Sequence, residues 1–250
     1  MKQNKFNIIV PFYNVEKWVS YCVNSVANQS YSNYECYLID DMSTDNTVNI
    51  IESLVADDNK FHVIRNQEKK YALKNIHDTL DQTDPNDNDI IVILDGDDWL
   101  AGDNVLEKLN NVYNLEKCWM TYGSYIEYPH RVRGKFASKI SDHIIENKLY
   151  RESEWMASHL RTFRYKLWDK INTDDFIFSK SGKHVKAAWD LAFVYPMLEM
   201  AGNRAHYVKD ILYVYNRANP LNEDKINHNI QLSEENEIRQ KSKYALLEVL

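Results

Sequence analysis

Residues 90–93 read Ile-Ile-Val-Ile, four β-branched residues with no polar break. Such side chains crowd a helix and fit a pleated strand. A strand that is apolar on both sides needs cover on both faces, which is the situation inside a parallel sheet flanked by helices. The preceding residues repeat the theme. Apolar runs at 6–10, 35–39 and 61–64 alternate with helix-period segments. Residues 18–27 put Trp18, Val19, Cys22, Val23 and Val26 on one face. Residues 43–47 form a polar helix start, followed by Val48, Ile51, Leu54 and Val55 at helical spacing. Residues 69–80 give a third helix, and 81–89, with Pro85, a loop. The order β-α-β-α-β-α-β is that of a parallel sheet with crossover helices. Open sheets of this kind bind ligands beyond the carboxyl ends of their strands. Here those ends carry residues 11–14, 40–43 and 95–98, so the three clusters are expected to meet at one site.

After a helix at 104–114 the texture changes. Residues 122–139 are aromatic and basic and read as strands and loops. A short helix is expected at 152–160, a longer one at 188–202, a strand at 211–215 and an amphipathic helix at 234–250. No repeat or linker divides the chain, so 1–250 is expected to be one domain. Its 250 residues suffice for a core without disulfides. The net charge of −7 argues against nucleic acid, which needs a basic surface. No run approaches eighteen apolar residues, so no transmembrane segment is expected, and the N-terminus lacks the pattern of a signal peptide. Cys22, Cys36 and Cys118 are too widely spaced for a disulfide framework or a zinc site. Reduced thiols suit a cytoplasmic location. The 17 tyrosines and 6 tryptophans offer flat rings that stack on bases and sugars, although most such rings are core.

Asp95-Gly96-Asp97-Asp98 follows the apolar strand directly. Three carboxylates in four residues repel one another unless a cation joins them, and a hard divalent ion shared with a ligand's phosphates is the usual resolution. Gly96 lets the backbone approach the ligand. The plainer alternative is an acidic surface turn. Asp40-Asp41 is a second carboxylate pair at a strand end, with helix N-terminal charge as its alternative.

Four segments together carry a resemblance: Ile8-Ile-Val-Pro-Phe-Tyr-Asn14, Val26-Ala-Asn-Gln-Ser-Tyr31, Tyr37-Leu-Ile-Asp-Asp-Met-Ser-Thr-Asp45 and Ile93-Leu-Asp-Gly-Asp-Asp-Trp99. In order and spacing they resemble the start of family 2 glycosyltransferases of the GT-A fold. The resemblance implies an α/β, Rossmann-like domain with a mostly parallel central sheet flanked by helices and a smaller acceptor-side region. Residues 1–115 would form the nucleotide-sugar half and 116–250 the acceptor and catalytic-base half. It further implies a UDP-sugar donor and Mn²⁺ or Mg²⁺. Pro11 and Tyr13 match the motif that frames the nucleobase, Asp40 the residue at the base edge, and Asp95 the residue near the ribose, with Gly96 in the turn. Asp97 matches the metal-binding aspartate, and Asp98 is adjacent for a metal contact through water. Lys74 matches a basic residue near the diphosphate, with an exposed helix lysine as its alternative.

In the second half, Ala188-Trp-Asp190 and the apolar helix after it resemble the segment bearing the catalytic base, which assigns that role to Asp190. Trp189 stands where the family often has Glu and is expected to face the acceptor sugar. Ser158-His-Leu-Arg-Thr-Phe-Arg164 resembles an acceptor-side segment, making His159, Arg161 and Arg164 candidates for acceptor contact. A structural histidine is the alternative for His159. Where relatives carry a metal-binding His after the late strand this chain has Ala218, leaving His206 or His228 as substitutes.

The expected function is metal-dependent, inverting transfer of one sugar from a UDP-sugar to the hydroxyl of a glycan, a lipid-linked sugar or a protein. The Gln-x-x-Arg-Trp signature of processive synthases is absent. The alternatives are a nucleotidyltransferase, which would need a Gly-rich phosphate loop that is missing here, and a non-catalytic sugar-binding module that retains the fold.

Overall fold

The computed structural model describes residues 2–250. The first half follows the expected alternation: β1 Phe6–Phe12, α1 Val19–Ala27, β2 Tyr34–Asp40, α2 Thr47–Val55, β3 Phe61–Arg65, α3 Tyr71–Thr83 and β4 Ile90–Ile93. Then come β5 Trp99–Leu100, α4 Val105–Glu116, β6 Met120–Tyr128, β7 Val132–Arg133, α5 Asp142–Glu146, β8 Arg161–Arg164 and α6 Tyr165–Asp169. The chain ends with β9 Ile177–Phe178, β10 Lys183–His184, α7 Trp189–Ala201, β11 Ala205–Asn216, α8 Glu223–Ile226 and α9 His228–Gln240.

A nine-stranded sheet runs in the order β3-β2-β1-β4-β8-β6-β11-β5, with β7 paired to β6. Strands β1 to β4 are mutually parallel, and β6 and β11 run the same way. Strand β8 is antiparallel and joins the halves, pairing with β4 on one side and β6 on the other. The apolar runs behave as their two-sided character requires. Ile90, Val92 and Leu94 pack with β1 residues Phe6, Ile8 and Val10 against α1, α2 and α4. Ile91 and Ile93 pack with Ile9 on the opposite face, against α3, α6 and α7. The period-two alternation thus feeds two cores from one sheet.

Two expected helices are corrected. Residues 152–160 are not helical; Ala157 bridges Ala137, and Trp155, Met156, Ser158 and His159 face a cleft. Helix propensity is weak beside tertiary packing. The C-terminal helix begins at His228 and stops at Gln240 instead of continuing to 250. Beyond it, Tyr244 N–H donates to Glu199 and Leu247 N–H to the Met200 carbonyl, so the tail lies against α7. The three thiols are buried and unbridged. Among the described residues no helix is long and apolar enough to cross a membrane.

Candidate active site

The three strand-end clusters do meet, in a cleft of about 1080 Å³ at the carboxyl ends of the parallel strands. Pro11 and Tyr13 enter from β1, Asp41 from the end of β2, and Asp95, Gly96 and Asp97 from the turn after β4. The turn sits tightly on β1. Gly96 N–H donates to the Pro11 carbonyl at 3.2 Å, and a Cβ on Gly96 would lie 2.4 Å from Phe12 Cβ. Glycine is therefore required for packing against the protein's own first strand.

The acidic turn is braced from β11. Asp98 is fully buried; it accepts from the Tyr213 hydroxyl at 2.6 Å and from Asn216 N–H at 2.7 Å. Asp97 accepts from the Asn219 amide at 2.7 Å, and its carbonyl from the Asn216 amide at 3.1 Å. The Tyr213 hydroxyl also reaches Asp95 at 3.4 Å. Burial drives the Asp95 carboxyl up to about 7; Arg161 pulls it down, while Asp97 and Asp190 push it further up. Burial likewise raises Asp97, and raises Asp98 well above the ordinary range. Asp98 is thus a buried brace within the turn, and the carboxylates on the cleft wall are Asp95 and Asp97.

The second half supplies the opposite wall. Asp190 lies in the first turn of α7, where Leu191 N–H donates to Oδ1 and Arg161 Nη1 donates to Oδ2 at 2.8 Å. Arg161 is only 2% exposed. Its second terminal nitrogen is 3.2 Å from His159 Nδ1, its guanidinium carbon is 5.4 Å from the Trp189 ring centre, and its Nε has no hydrogen-bond partner. The α7 entry is fixed by buried Glu234, whose carboxylate accepts from the backbone N–H groups of Lys186, Ala187 and Ala188. His159 is stacked on Tyr213 at 4.4 Å and on Tyr215 at 5.4 Å. Burial, and then the Arg161 charge, lower its pKa well below the usual value, so the ring is neutral.

The structure sorts the expected residues. Pro11, Tyr13, Asp95, Gly96, Asp97, His159, Arg161, Trp189 and Asp190 line one cleft. Asp40 does not; it is 6% exposed and accepts from Ser43 N–H, while Asp41 faces the cleft. Neighbouring strand residues point to opposite sides, so a one-residue ambiguity reverses the outcome. Asp41 accepts from Lys70 N–H at 2.8 Å, Tyr71 N–H at 2.9 Å and the Asn66 amide at 3.0 Å. It anchors the entry to α3, where Tyr71 has a φ of 64°. Lys74 is also displaced. It pairs with Asp78 along α3; the lysines that line the cleft are Lys69, whose ammonium lies over the Tyr13 ring, Lys135 and Lys186. Arg164 is removed from the site by strand geometry. Arg161 is opposite Ile93 at the cleft end of β4, whereas Arg164 is opposite Ile90, roughly 10 Å away at three strand residues. There it donates to the Cys118 and Asn88 carbonyls. His206 faces Glu116 and His228 is exposed; neither lines the cleft. Sequence reasoning does not find Tyr213, Asn216 and Asn219, although Tyr213 falls in the strand expected at 211–215 and the two asparagines follow it. The resemblance points to a histidine after this strand, whereas the groups that face the carboxylates are the Tyr213 hydroxyl, the Asn216 backbone N–H and the Asn219 side-chain amide.

The donor set fits a divalent cation. Burial holds the pKa of Asp95 and of Asp97 above the ordinary carboxylate value, a condition that a bound cation reverses. Asp95, Asp98 and His159 also bring ligand atoms within 4.8 Å of one another. Asp95 belongs to both groupings. The cleft pair, Asp95 and Asp97, has the exposure that a cation shared with a phosphate requires.

Sheet order and cleft together define the GT-A class of glycosyltransferase folds. The solved structure of S. aureus TarS residues 1–349 with UDP-GlcNAc has the same fold, with a TM-score of 0.64 and 19% identity over 88% of this chain and 60% of that one. The mannosyltransferase PcManGT of Pyrobaculum calidifontis, solved with GDP-Man and Mn²⁺, gives a TM-score of 0.57 at 16% identity over 85% of this chain and 57% of that one. An uncharacterized glycosyltransferase of Haemophilus influenzae is 36% identical over 128 residues, 50% of this chain and 48% of that protein. The chain thus spans about half the length of that relative. The profile described as "Glycosyl transferase family 2" matches residues 7–192, and the chain belongs to that family.

Proposed function

We propose that the chain transfers one glycosyl group from a UDP-sugar to an acceptor hydroxyl, with inversion and with a divalent cation bound at Asp95 and Asp97. The observation that carries this reading is the placement of Asp190 across one cleft from the Asp95–Asp97 turn. Tyr13, Lys69, Tyr71 and Asp41 surround the end nearest β1 and β2, where a nucleobase and ribose would lie. A cation at Asp95 and Asp97, when bound, supplies positive charge to the leaving diphosphate. Asp190 takes the proton of the attacking hydroxyl, and Arg161 fixes the carboxylate's orientation from below. Arg161 thereby acts as a positioning residue, because its buried guanidinium is already committed to Asp190 and His159. Trp189 presents ring surface beside Asp190 for a sugar face. A base opposite the leaving group gives a single displacement and an inverted anomeric centre.

The relatives support the donor class: one GT-A neighbour was solved with UDP-GlcNAc, another with a nucleotide sugar and Mn²⁺. Family membership speaks against the nucleotidyltransferase alternative. The joined Asp95, Asp97, Arg161 and Asp190 speak against a module that only binds. Calorimetry with UDP tests the metal. Affinity in Mn²⁺ is expected to fall at least tenfold in EDTA, about the size of one strong electrostatic contact. Equal affinity in chelator would remove the cation from the reading.

A further inference from the structure

Four aromatic side chains outside the cleft form a continuous surface strip. Trp18 and Tyr128 have ring centres 6.2 Å apart, Tyr128 and Trp99 5.2 Å, and Trp99 and Tyr21 5.2 Å. Tyr21 is 56% exposed and Tyr128 37%. Trp18 and Trp99 are half-buried. The strip starts at the rim of the site: Tyr128 follows the cleft residue Glu127, Trp99 lies two residues after the cleft residue Asp97, and Trp18 N–H donates to the carbonyl of the cleft residue Val15. Glu127 and Tyr128 point to opposite sides of β6, so the rings turn out of the cleft and around the sheet edge, where β5 is the last strand. Beside Tyr21 lies a shallow depression of about 600 Å³ whose polar lining includes Ser20, Asn24, Asn28 and Asp103, with no lysine or arginine.

Resting on the glycosyltransferase reading above, we propose that this strip is a second glycan-binding surface, holding an oligosaccharide acceptor at units beyond the one that enters the cleft. A pyranose has an apolar C–H face and a rim of hydroxyls. The face stacks on the electron-rich side of an aromatic ring, and the rim is matched by amide, hydroxyl and carboxylate groups such as those of the depression. Rings that served only the core would be covered, and here a contiguous patch stays open to solvent at the mouth of the site. The absence of cations from the depression's lining disfavours a phosphate polymer or an anionic lipid surface.

Saturation-transfer NMR on the nucleotide-free chain tests this, using chitohexaose, cellohexaose and laminarihexaose one at a time. At least one is expected to bind, with the signal kept in Asp190→Asn and in the presence of UDP. Tyr21→Ala and Trp99→Leu are each expected to weaken binding about fivefold, the size of one lost aromatic contact. Tyr21 is exposed enough that its variant folds even if the Trp99 variant does not. No binding by any hexasaccharide overturns the strip, as does binding that neither substitution alters. Strip-dependent sedimentation with phosphatidylcholine vesicles in place of saccharide binding also overturns it, in favour of a membrane contact. Hydrolysis of UDP-GlcNAc in the absence of any saccharide needs only the cleft. Persistent hydrolysis without strip binding therefore removes this proposal and leaves the proposed function standing.

Discussion

Asp190→Asn separates the ion pair that the structure shows for this carboxylate from its proposed role as general base. Its Oδ2 accepts from Arg161 at 2.8 Å, and Arg161 is 2% exposed. Asparagine keeps an oxygen acceptor and loses the charge. A hydrogen bond to a charged group contributes about 1.5–3 kcal/mol. Outright deletion of a buried partner costs more, about 3–5 kcal/mol, but here the acceptor remains and Asp95 still attracts the guanidinium. For a chain of this length each kcal/mol moves Tm by about 2–4 °C, so the variant should melt roughly 3–12 °C lower. Losing a general base should also cut turnover by roughly 10²–10⁴, a barrier increase of about 3–5 kcal/mol. Affinity for UDP should stay near wild type, because the base acts on the acceptor proton. UDP release, UDP calorimetry and melting are measured on one sample well below its Tm. Arg161→Gln completes a double-mutant cycle, in which the stability effects should couple by about 0.5–3 kcal/mol. A lowered Tm with near-normal turnover would make Asp190 an anchor for Arg161 and refute its role as base. An unchanged Tm would refute the ion-pair reasoning.

Glu199→Ala should destabilise by about 3–5 kcal/mol, because it strands the buried guanidinium of Arg151, which now donates to Glu199 at 2.6 and 2.9 Å; Arg151→Met in the same chain should recover much of the loss in denaturant titration. Gly96→Ala drives a Cβ into Phe12 and should cost about 1–3 kcal/mol; UDP calorimetry should show weaker binding, since the displaced turn carries Asp95 and Asp97. Burial raises the Asp41 carboxyl, but hydrogen bonds led by Lys70 N–H outweigh it and hold the group below its ordinary value. The folded state therefore favours the ionised form; the stabilisation is present above about pH 4 and is lost as pH falls through the lowered folded value. Asp41→Asn should lose less stability than wild type between pH 6 and pH 3 in parallel melts, and equal losses would refute the assignment.

Much of the first half of the chain was legible because its signals are local. An uninterrupted β-branched run implies cover on both faces, and Ile90 to Ile93 alternate between two cores. Polar residues at strand ends imply a shared site, and the turn after β4 meets the end of β1. The second half was less legible. Residues 152–160 combine helix formers with no breaker, yet the chain extends there to join the bridge at Ala137 and to line the cleft. Arg161 and Arg164 look equivalent in sequence, and only the antiparallel pairing with β4 shows that they sit at opposite ends of a strand.

By itself the sequence determined the alternation of strand and helix, the collection of carboxylates at the strand ends and the placement of Asp190 at a helix start. Each depends on a period of two or 3.6 residues or on a turn within a few positions, and neighbouring residues fix such features. The tertiary structure decided which member of each local pair faces the cleft: Asp41 over Asp40, Lys69 over Lys74, Arg161 over Arg164. It also supplied Tyr213, Asn216 and Asn219 to the acidic turn from more than a hundred residues away. Those choices rest on strand register and on contacts between segments distant in the chain. The buried carboxylates need hydrogen-bond donors, and the donors came from whichever strand the folded sheet placed beside them.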